Sequence, residues 1–412
     1  MRISRSRGEW SRPEPRAGVE HDVRAIIEEV RARGDDAILD LTERFDAAEL
    51  GPRELRVPPA EAESALGVLE ADVLSALRRA IKNVRAVARA QLAEPAVVEL
   101  PEGQRVEVVD VPVRRAGLYV PGGRAPYPST VAMLAVTASA AGVDEVAVCA
   151  PPGPGGRAHP AILAACVLCG VTEIYRMGGA QAIAALAFGT ESVPAVDVIA
   201  GPGNVWVQEA KRQLGGRVGI DGVAGPSELV VLAGADADGE LVALDLLAQA
   251  EHGDESLLWL ISSDESLLDE VVGGVKRFAE ERPSVADAQL QVVAVASASE
   301  GLRAAEAIAP EHLELVGHEA ERLAERVRFA GCLYVGANAG TAFGDYVAGS
   351  NHVLPTGGAA RFQSSLSAAT FRRRMARVSL PGEAAARLAP AGAALARAEG
   401  FPVHAESMER RA

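Results

Sequence analysis

The sequence predicts an α/β protein built from two Rossmann-like parallel-sheet domains, one inserted in the other, with small arms at the N- and C-termini. From residue 116 onward, strand-like runs such as EVAVCA (145–150) alternate with helical runs such as PAILAACVLCG (160–170). Such alternation is typical of βαβ units around a parallel sheet. The alternation resumes further along the chain with LLWLIS (257–262) and QVVAVA (291–296), which indicates a second sheet.

The 412 residues are enough for two or three domains with sizeable cores. Residues 1–18 are rich in Arg and Pro, which predicts an extended arm. We predict a first α/β domain from residues 19–116, mostly helical, together with 229–360. The second, inserted domain is residues 117–228. Residues 361–412 have a helical, Arg- and Ala-rich pattern with too few apolar positions for a core of their own, so we expect an arm that packs on another surface.

The bulk composition narrows the classes of partner. The net charge of −15 argues against nucleic acid and against anionic membranes, because no basic excess is available to offset phosphates. A nucleotide cofactor stays possible, since backbone amides at a helix N-terminus can hold phosphates locally.

The N-terminal residues contain no apolar stretch typical of a secretory signal. The most apolar run, 131–150, is interrupted by polar residues and does not resemble a membrane span. The chain has four cysteines, and Cys166 and Cys169 form a CxxC within an apolar run without a second pair, which favours core packing. A reducing cytoplasm is the expected location.

The segment LVALDLLAQAEHGD (241–254) predicts a helix, because Leu241, Leu244 and Leu247 recur at helical spacing and indicate one buried face. Gln249 and His252 stand three residues apart at its C-terminal end, so their side chains share one helix face. A carboxamide and an imidazole at that position can both bind a divalent metal. A solvated helix end with ordinary polar residues explains the same pattern.

Glycine-bearing turns follow several predicted strands, at 121–123, 178–179, 201–204 and 225–227. In open α/β sheets, ligands bind over the carboxyl ends of the strands, next to such turns and to helix N-termini. We therefore expect these turns to face a ligand. A loose dinucleotide fingerprint also occurs at 153–158, but its prolines and the missing acidic residue favour an ordinary loop with helix-capping glycines.

Two further segments combine carboxylates with imidazoles. Glu311 and His312 follow a proline-defined turn, and these are the side chains needed to move protons near neutral pH. Glu399 and His404 lie on the thin C-terminal arm. For each pair a purely structural or solvated role is the alternative. The glycine-bounded loop 344–358 is dense in Asp, Asn and His, which is more typical of functional loops than of a core.

Together, these segments resemble the histidinol dehydrogenase family. The motifs span nearly the whole length in the family order, and no recurring module supplies all of them. They are GLYVPGG (117–123), YPS (127–129), MGGAQAIAALAFGT (177–190), GPGN (201–204), AGPSE (224–228), QAEH (249–252), APEHLE (309–314), GDY (344–346), NHVLPTGG (351–358) and AEG with a following His (398–404).

The resemblance implies a homodimeric, zinc- and NAD-dependent enzyme that oxidises L-histidinol through the aldehyde to L-histidine, the last step of histidine biosynthesis, in two hydride transfers. One zinc ion per subunit is implied, and its ligands correspond to Gln249, His252, Asp345 and His404. In this family the C-terminal arm crosses to the partner subunit, so Glu399 and His404 are expected to act across the dimer.

The resemblance also implies roles for the remaining site residues. Glu311 and His312 match the family's catalytic pair, with His312 as the base and Glu311 activating water. NAD contacts correspond to Tyr119, Gln181 and Asn204. Substrate contacts correspond to Ser227, Glu399, His312 and the four zinc ligands.

Some positions depart from the family pattern: Leu134 and Thr137 stand where Asn and Pro are usual, and Val198 stands where Lys is usual. These departures leave open a paralogous zinc and NAD alcohol dehydrogenase acting on another amino-alcohol or a sulfonated diol. A catalytically idle metal- or nucleotide-binding protein on the same scaffold is the alternative from another class, and intact Glu311 and His312 argue against it.

Overall fold

The computed structural model describes residues 1–12, 18–122, 125–153, 155–285 and 287–412. Part of the predicted N-terminal arm (13–17), Gly123 of the first glycine turn and Pro154 of the loose fingerprint lie outside the described residues. The strands are β1 (Arg2–Arg7), β2 (Ala96–Glu99), β3 (Arg105–Pro112), β4 (Arg115–Tyr119), β5 (Glu145–Ala150), β6 (Glu173–Arg176), β7 (Val198–Ala200), β8 (Gly219–Ile220), β9 (Glu228–Ala233), β10 (Leu257–Ser262), β11 (Gln289–Ala294), β12 (His312–Val316), β13 (Cys332–Val335) and β14 (Arg372–Ser379).

Helices connect most of these strands. They are α1 (Glu20–Arg33), α2 (Asp35–Asp46), α3 (Pro59–Ser64), α4 (Ala71–Ala90), α5 (Pro128–Ala141), α6 (Pro160–Cys169), α7 (Gly179–Phe188), α8 (Val205–Leu214), α9 (Gly239–Ala250), α10 (Glu265–Glu280), α11 (Ala298–Ile308), α12 (His318–Glu321), α13 (Thr341–Tyr346), α14 (Gly382–Ala398) and α15 (Pro402–Glu409), with short 3-10 turns at Ala65–Gly67, Ala324–Arg326, Ala359–Arg361 and Ala368–Phe371. In the described part of the chain, no helix is both long and apolar enough to cross a membrane.

One parallel sheet has six strands in the order β1-β11-β10-β9-β12-β13. Its central strands β9 and β10 are buried along their whole length, as expected for parallel strands covered by helices on both faces. α9 and α10 cover one face and α11 covers the other. The start of the predicted N-terminal arm is not a free arm, because β1 forms the edge strand and pairs with β11 in parallel.

The other parallel sheet has five strands in the order β6-β5-β4-β7-β8. These strands lie between β1 and β9 in the chain, so this sheet is inserted into the sequence of the six-stranded one. The predicted fold class, two parallel-sheet domains with one inserted in the other, is confirmed.

The N-terminal helices pack on the inserted sheet, which differs from the predicted domain boundaries. Val23, Ile27 and Leu41 of α1 and α2 share a core with Tyr119 and Tyr175 of the five-stranded sheet. We expected residues 19–116 to belong with the six-stranded sheet. Helical periodicity indicates that one face of a helix is buried, but it does not indicate which sheet covers that face.

The C-terminal segment is not wholly helical, contrary to the prediction for 361–412. β14 pairs antiparallel with β3, and β2 completes a three-stranded sheet. Its sequence, RRRMARVS, lacks an apolar alternation because most of its side chains are exposed. Only the long-range pairing makes it a strand. α14 and α15 follow as a hairpin with a small core of Ala393, Ala396 and Ala405.

The predicted buried face of α9 is partly wrong. Leu247 is buried, but Leu241 and Leu244 are 42% and 37% exposed. Val242 and Leu246 pack on the sheet in their place. The helix is apolar around most of its circumference, so the spacing of its leucines alone does not identify the face that contacts the core.

Candidate active site

Several of the residues predicted to be catalytic, metal-binding or substrate-binding gather at the amino edge of the six-stranded sheet. Ser227 immediately precedes β9, His312 opens β12 with Glu311 just before it, and α9 delivers Gln249 to the same edge. The parallel register pairs His312 with Leu229 at the start of β9, so the first residues of β9 and β12 lie side by side.

Glu311 is held by two hydrogen bonds in a buried position. Its Oε2 accepts from Ser227 Oγ and from the backbone N–H of Glu228, each at 2.9 Å. The residue is only 6% exposed. Burial raises the pKa of the Glu311 carboxyl, and the nearby His312 and these hydrogen bonds oppose that rise in part. A carboxyl group with a raised pKa can exchange protons closer to neutral pH.

Among the described residues, one ring nitrogen of His312 has a hydrogen-bond partner and the other has none. Nδ1 lies 3.0 Å from the backbone oxygen of Glu228, which can only accept, so Nδ1 carries the proton and donates it. Nε2 therefore carries the lone pair. Nε2 is buried and has no hydrogen-bond partner among the described residues. It lies 3.8 Å from Oδ1 of Asp345.

Three predicted metal ligands lie together next to this pair. His252 Nε2 is 3.8 Å from Asp345 Oδ2, and Gln249 lies on the last turn of α9 just before His252. Gln249 is fully buried, and both its Oε1 and its Nε2 have no hydrogen-bond partner in the described chain. A buried carboxamide without partners is costly unless a ligand completes it, so these residues fit a metal ion.

The donor set of one chain is incomplete. Within the described residues, no group of three His, Cys, Asp or Glu side chains is positioned to hold a metal. His252 and Asp345 are two donors of these types, and Gln249 adds a carboxamide, which is a donor of another type.

His352 is a site residue that sequence reasoning left unassigned, although its loop was singled out as rich in polar groups. Its Nδ1 donates to the backbone oxygen of Asp345 at 2.8 Å, and its Nε2 lies 3.0 Å from Thr130 Oγ1. Burial lowers the pKa of the His352 imidazole. This side chain therefore fixes the backbone that carries Asp345.

Glu228 is a second residue without an assigned role, although it belongs to the AGPSE motif. It is 1% exposed, and Arg12 from the N-terminal segment forms an ion pair with it at 3.0 Å. Burial raises the pKa of the Glu228 carboxyl to about 7. The backbone of Glu228 orients both catalytic candidates, because its N–H contacts Glu311 and its oxygen contacts His312.

The three cofactor candidates lie at the carboxyl edge of the five-stranded sheet, around Tyr119. The Tyr119 hydroxyl accepts a hydrogen bond from the backbone N–H of Gly179 at 3.1 Å, two residues before buried Gln181. A Cβ on Gly201, whose φ is +133°, would overlap the backbone oxygen of Tyr119. Asn204 caps α8 through hydrogen bonds from two backbone N–H groups.

A cleft of about 110 Å³ joins the two edges. The turn Gly201–Gly203 lines one side of it, and Ser227, Glu311 and His352 line the other. The structure thus brings the glycine turn before α8 into one space with Ser227, Glu311 and His352.

The C-terminal candidates are not part of this cluster within a single chain. His404 is exposed on α15 and stacks on Phe401 with ring centroids 5.2 Å apart. Glu399 is an exposed residue at the end of α14. The described chain gives neither side chain a contact with Gln249, His252 or Asp345.

The fold and the site define a class of protein: an enzyme with a buried Glu–His pair beside a metal-competent donor set, facing glycine turns of the kind that accept a dinucleotide. The family model described as histidinol dehydrogenase matches residues 11–412. A histidinol dehydrogenase of Gluconobacter oxydans is 43% identical over 399 residues, covering 95% of this chain and 93% of the relative. One from Zymomonas mobilis is 44% identical over 406 residues, covering 97% and 94%.

A solved structure agrees with the sequence relatives. The crystal structure of histidinol dehydrogenase from Elizabethkingia anophelis has a TM-score of 0.94 and 32% identity, covering 100% of this chain and 98% of the other. The chain belongs to the histidinol dehydrogenase family, whose members are NAD-dependent oxidoreductases of histidine biosynthesis. The family predicted from the motifs is confirmed.

Proposed function

We propose that this chain catalyses the zinc-dependent, NAD-linked, four-electron oxidation of L-histidinol through L-histidinaldehyde to L-histidine. The observation that carries the proposal is the cleft lined by the Gly201–Gly203 turn on one side and by Ser227 and Glu311 on the other. A dinucleotide on the turn and an alcohol at the Glu–His pair would meet across this cleft. Reacting groups held at such close range in a fixed orientation lower the barrier by up to about 7–11 kcal/mol.

The donor set supports one zinc ion per subunit, held by Gln249, His252 and Asp345 together with His404 from the second subunit of a homodimer. The unpartnered carboxamide of Gln249 supports this assignment. Mixed nitrogen and oxygen donors suit zinc. When bound, zinc would help to hold the substrate in place, and NAD would supply the hydride acceptor for the two oxidations.

In the first oxidation His312 accepts the hydroxyl proton of the alcohol. The Nδ1–H bond to Glu228 leaves the lone pair on Nε2, which is buried and has no other described partner. A positioned base of this kind contributes about 10²- to 10⁴-fold in rate.

In the second oxidation Glu311 activates the water that hydrates the aldehyde. Ser227 and the backbone of Glu228 hold Oε2 of its carboxyl group, so Oε1 is the oxygen left to accept a proton from water. The raised pKa of the Glu311 carboxyl, caused by burial, suits it to this exchange. Ser227 borders both Glu311 and His252, which supports its role in positioning the substrate between base and metal ligands.

Exposed apolar side chains support a homodimer in which the C-terminal hairpin completes the neighbouring site. On the hairpin, Leu395, Phe401 and Val403 are 67%, 51% and 72% exposed. Near the metal ligands, Phe343 and Tyr346 are 58% and 59% exposed. Apolar surfaces of this kind are typical of subunit interfaces, and their union would bring His404 and Glu399 to the site.

The departures from the family pattern support histidinol as the substrate, because they lie in the core. Leu134 and Val198 belong to the apolar core of the five-stranded sheet. Thr137 donates a hydrogen bond to the backbone oxygen of Met133 inside α5. In the described chain none of the three lines the cleft.

The test is turnover of L-histidinol compared with other amino-alcohols and a sulfonated diol, with and without a zinc chelator. We expect two NADH for each L-histidinol consumed and loss of activity with the chelator. Preference for another alcohol would favour the paralogue, and NADH formation that is unaffected by complete removal of zinc would contradict the metal site.

A further inference from the structure

A buried and a partly buried carboxyl group lie one layer below the proposed metal site. Glu314 on β12 is 1% exposed. Its Oε1 accepts a hydrogen bond from the backbone N–H of Thr341 at 2.8 Å, whereas its Oε2 is buried and has no partner among the described residues. Asp245 on α9 is the neighbouring carboxyl group, and its Oδ1 lies 2.6 Å from where a Cβ on Gly340 would be. The two acids thus flank the peptide between Gly340 and Thr341.

The strand and the helix that carry Glu314 and Asp245 also carry residues of the proposed site. On β12, Glu314 follows His312 by two residues, so both side chains point to the same face of the sheet. On α9, Asp245 precedes Gln249 by four residues and lies on the same face of the helix.

The four-residue spacing found on α9 also occurs on α13. Thr341, whose backbone N–H contacts Glu314, precedes Asp345 by four residues. This contact region therefore joins three elements of the proposed site. They are β12 with His312, α9 with Gln249 and α13 with Asp345.

The contacts of Glu314 suit a protonated acid, because one oxygen accepts a hydrogen bond and the other is buried without a partner among the described residues. Burial and the adjacent Asp245 raise the pKa of the Glu314 carboxyl to about 8, and the pKa of Asp245 is raised by burial to about 6. A protonated carboxyl group accepts at one oxygen and donates at the other. Oε1 accepts from Thr341, so Oε2 is the oxygen left to donate, and the Asp245 carboxyl group beside the same peptide is an available acceptor.

We propose that Glu314 is a positioning residue that shares one proton with Asp245 and thereby holds α9, β12 and α13 at the spacing the metal ligands need. The inference rests on the proposed assignment of Gln249 and Asp345 as ligands. A fixed spacing lowers the cost of assembling the ligands around the ion. Groups that orient metal ligands without touching the metal typically contribute about 10- to 100-fold in affinity.

The test measures zinc affinity of the full-length protein by competition with a chelator, for Glu314→Leu and Glu314→Gln. Leucine has similar volume but can neither accept from Thr341 nor donate to Asp245, so we expect zinc affinity to fall about 10- to 100-fold. Glutamine keeps both hydrogen bonds, so we expect it to restore the affinity to within about threefold of the parent, a difference of less than 1 kcal/mol. Glu314→Leu with parental zinc affinity would overturn the inference, and so would Glu314→Gln with the same loss as Glu314→Leu.

Asp245 provides a second pair of variants in case Glu314→Leu does not fold. Asp245 is only partly buried, so Asp245→Ala and Asp245→Asn are milder changes. We expect Asp245→Ala to weaken zinc binding and Asp245→Asn, which still accepts a hydrogen bond, to restore it. Equal affinities of these two variants would contradict the shared proton.

Gln249→Ala separates a failure of this inference from a failure of the site. If Gln249→Ala loses zinc while the Glu314 and Asp245 variants keep it, only the positioning role is wrong. If Gln249→Ala binds zinc like the parent, the metal assignment itself is wrong, and the inference is overturned with it.

Discussion

The two parallel sheets contribute opposite edges to the same cleft. The five-stranded sheet presents its carboxyl edge, where Tyr119 ends β4 and the turn at Gly201 follows β7. The six-stranded sheet presents its amino edge, where Ser227 and Glu311 precede β9 and β12. Ligands of open α/β sheets ordinarily bind at the carboxyl edge. Here that rule agrees with the proposed cofactor turns but not with the proposed catalytic pair, Glu311 and His312.

Helix polarity gives a physical reason for the difference. The helices that follow strands begin at the carboxyl edge, so α7 and α8 direct their N-termini and free N–H groups toward the proposed dinucleotide. Helices that follow strands also end at the amino edge of their sheet, so α9 brings its C-terminus to the proposed metal ligands of the six-stranded sheet. The partial negative charge of a helix C-terminus favours a cation. One edge therefore suits phosphates and the other suits a metal ion.

His312→Ala tests the amino edge and has the largest expected effect. We expect kcat with L-histidinol to fall by about 10²- to 10⁴-fold, because the buried Nε2 is lost as a base. Zinc content should not change, since His312 is not one of the proposed ligands. His318→Ala, an exposed imidazole paired with Asp236, is the matched control and should retain parental kcat. Parental turnover in His312→Ala would assign the base elsewhere.

Glu311→Gln, at the same edge, tests whether Glu311 acts in the oxidation of the aldehyde more than in the oxidation of the alcohol. Glutamine cannot accept the proton of the hydrating water, so we expect oxidation of the aldehyde to fall by about 10²-fold. The alcohol step should be affected less. The measurement is the ratio of NADH to histidine formed, together with turnover of added histidinaldehyde. Parental histidine formation would contradict the role of Glu311.

Gly201→Ala tests the carboxyl edge. Its Cβ would overlap the backbone oxygen of Tyr119 at a φ of +133°, so we expect a loss of about 1–3 kcal/mol in the free energy of unfolding and a higher KM for NAD. Gly170→Ala is the control: φ is also positive there, at +80°, but no atom lies within 4 Å of the added Cβ. It should lose only about 1–2 kcal/mol from backbone strain and leave the KM unchanged. Equal KM values for both variants would remove the turn from the cofactor site.

The change in stability per pH unit is the smallest expected effect. The Glu314 carboxyl has a folded-state pKa of about 8, above its ordinary value of 4.5, and Asp245 is raised to about 6. At a pH between the ordinary and the raised pKa of each carboxyl group, the folded state binds more protons than the unfolded state. The free energy of unfolding therefore falls as pH rises from about 5 to 8. Glu314 contributes on the order of 1 kcal/mol per pH unit at most.

The measurement is urea unfolding of the zinc-free protein at several pH values. Asp245, Tyr334 and Asp345 also face or flank this region and stay in both proteins. We expect the decline to be shallower in Glu314→Gln, which has no proton to lose. Identical pH profiles of parent and variant would show that Glu314 does not hold its proton.

The elements that were predictable from sequence are those with local patterns. The strands β9 and β10 are continuous apolar runs, and the glycine turns mark the ends of β4 and β7, so the fold class followed from composition along the chain. The motifs identified the family and, through it, a site whose side chains the structure brings together at Glu311, His312, His252 and Asp345.

The rest depends on long-range contacts. β14 has an Arg-rich, helix-like composition and becomes a strand only by pairing with β3. The periodicity of α1 and α2 could not show which of the two sheets these helices pack on. Glu314 lies in the APEHLE motif, but its importance appears only when Thr341 and Asp245 are beside it. His404 and Glu399 are exposed in one chain, so their proposed role depends on a second.

The most direct test of the central claim, a site completed across two subunits, is complementation between two variants that each form little L-histidine. His404→Ala subunits and Glu311→Gln subunits are each purified, mixed in equal amounts under conditions that allow subunit exchange, and assayed for the formation of L-histidine from L-histidinol. In a hybrid dimer one site combines an intact Glu311 with an intact His404 from the neighbouring chain, so we expect recovery to about a quarter of the parental activity when exchange is complete. Formation of hybrid dimers without any recovery of activity would place each tail in its own subunit and contradict the account.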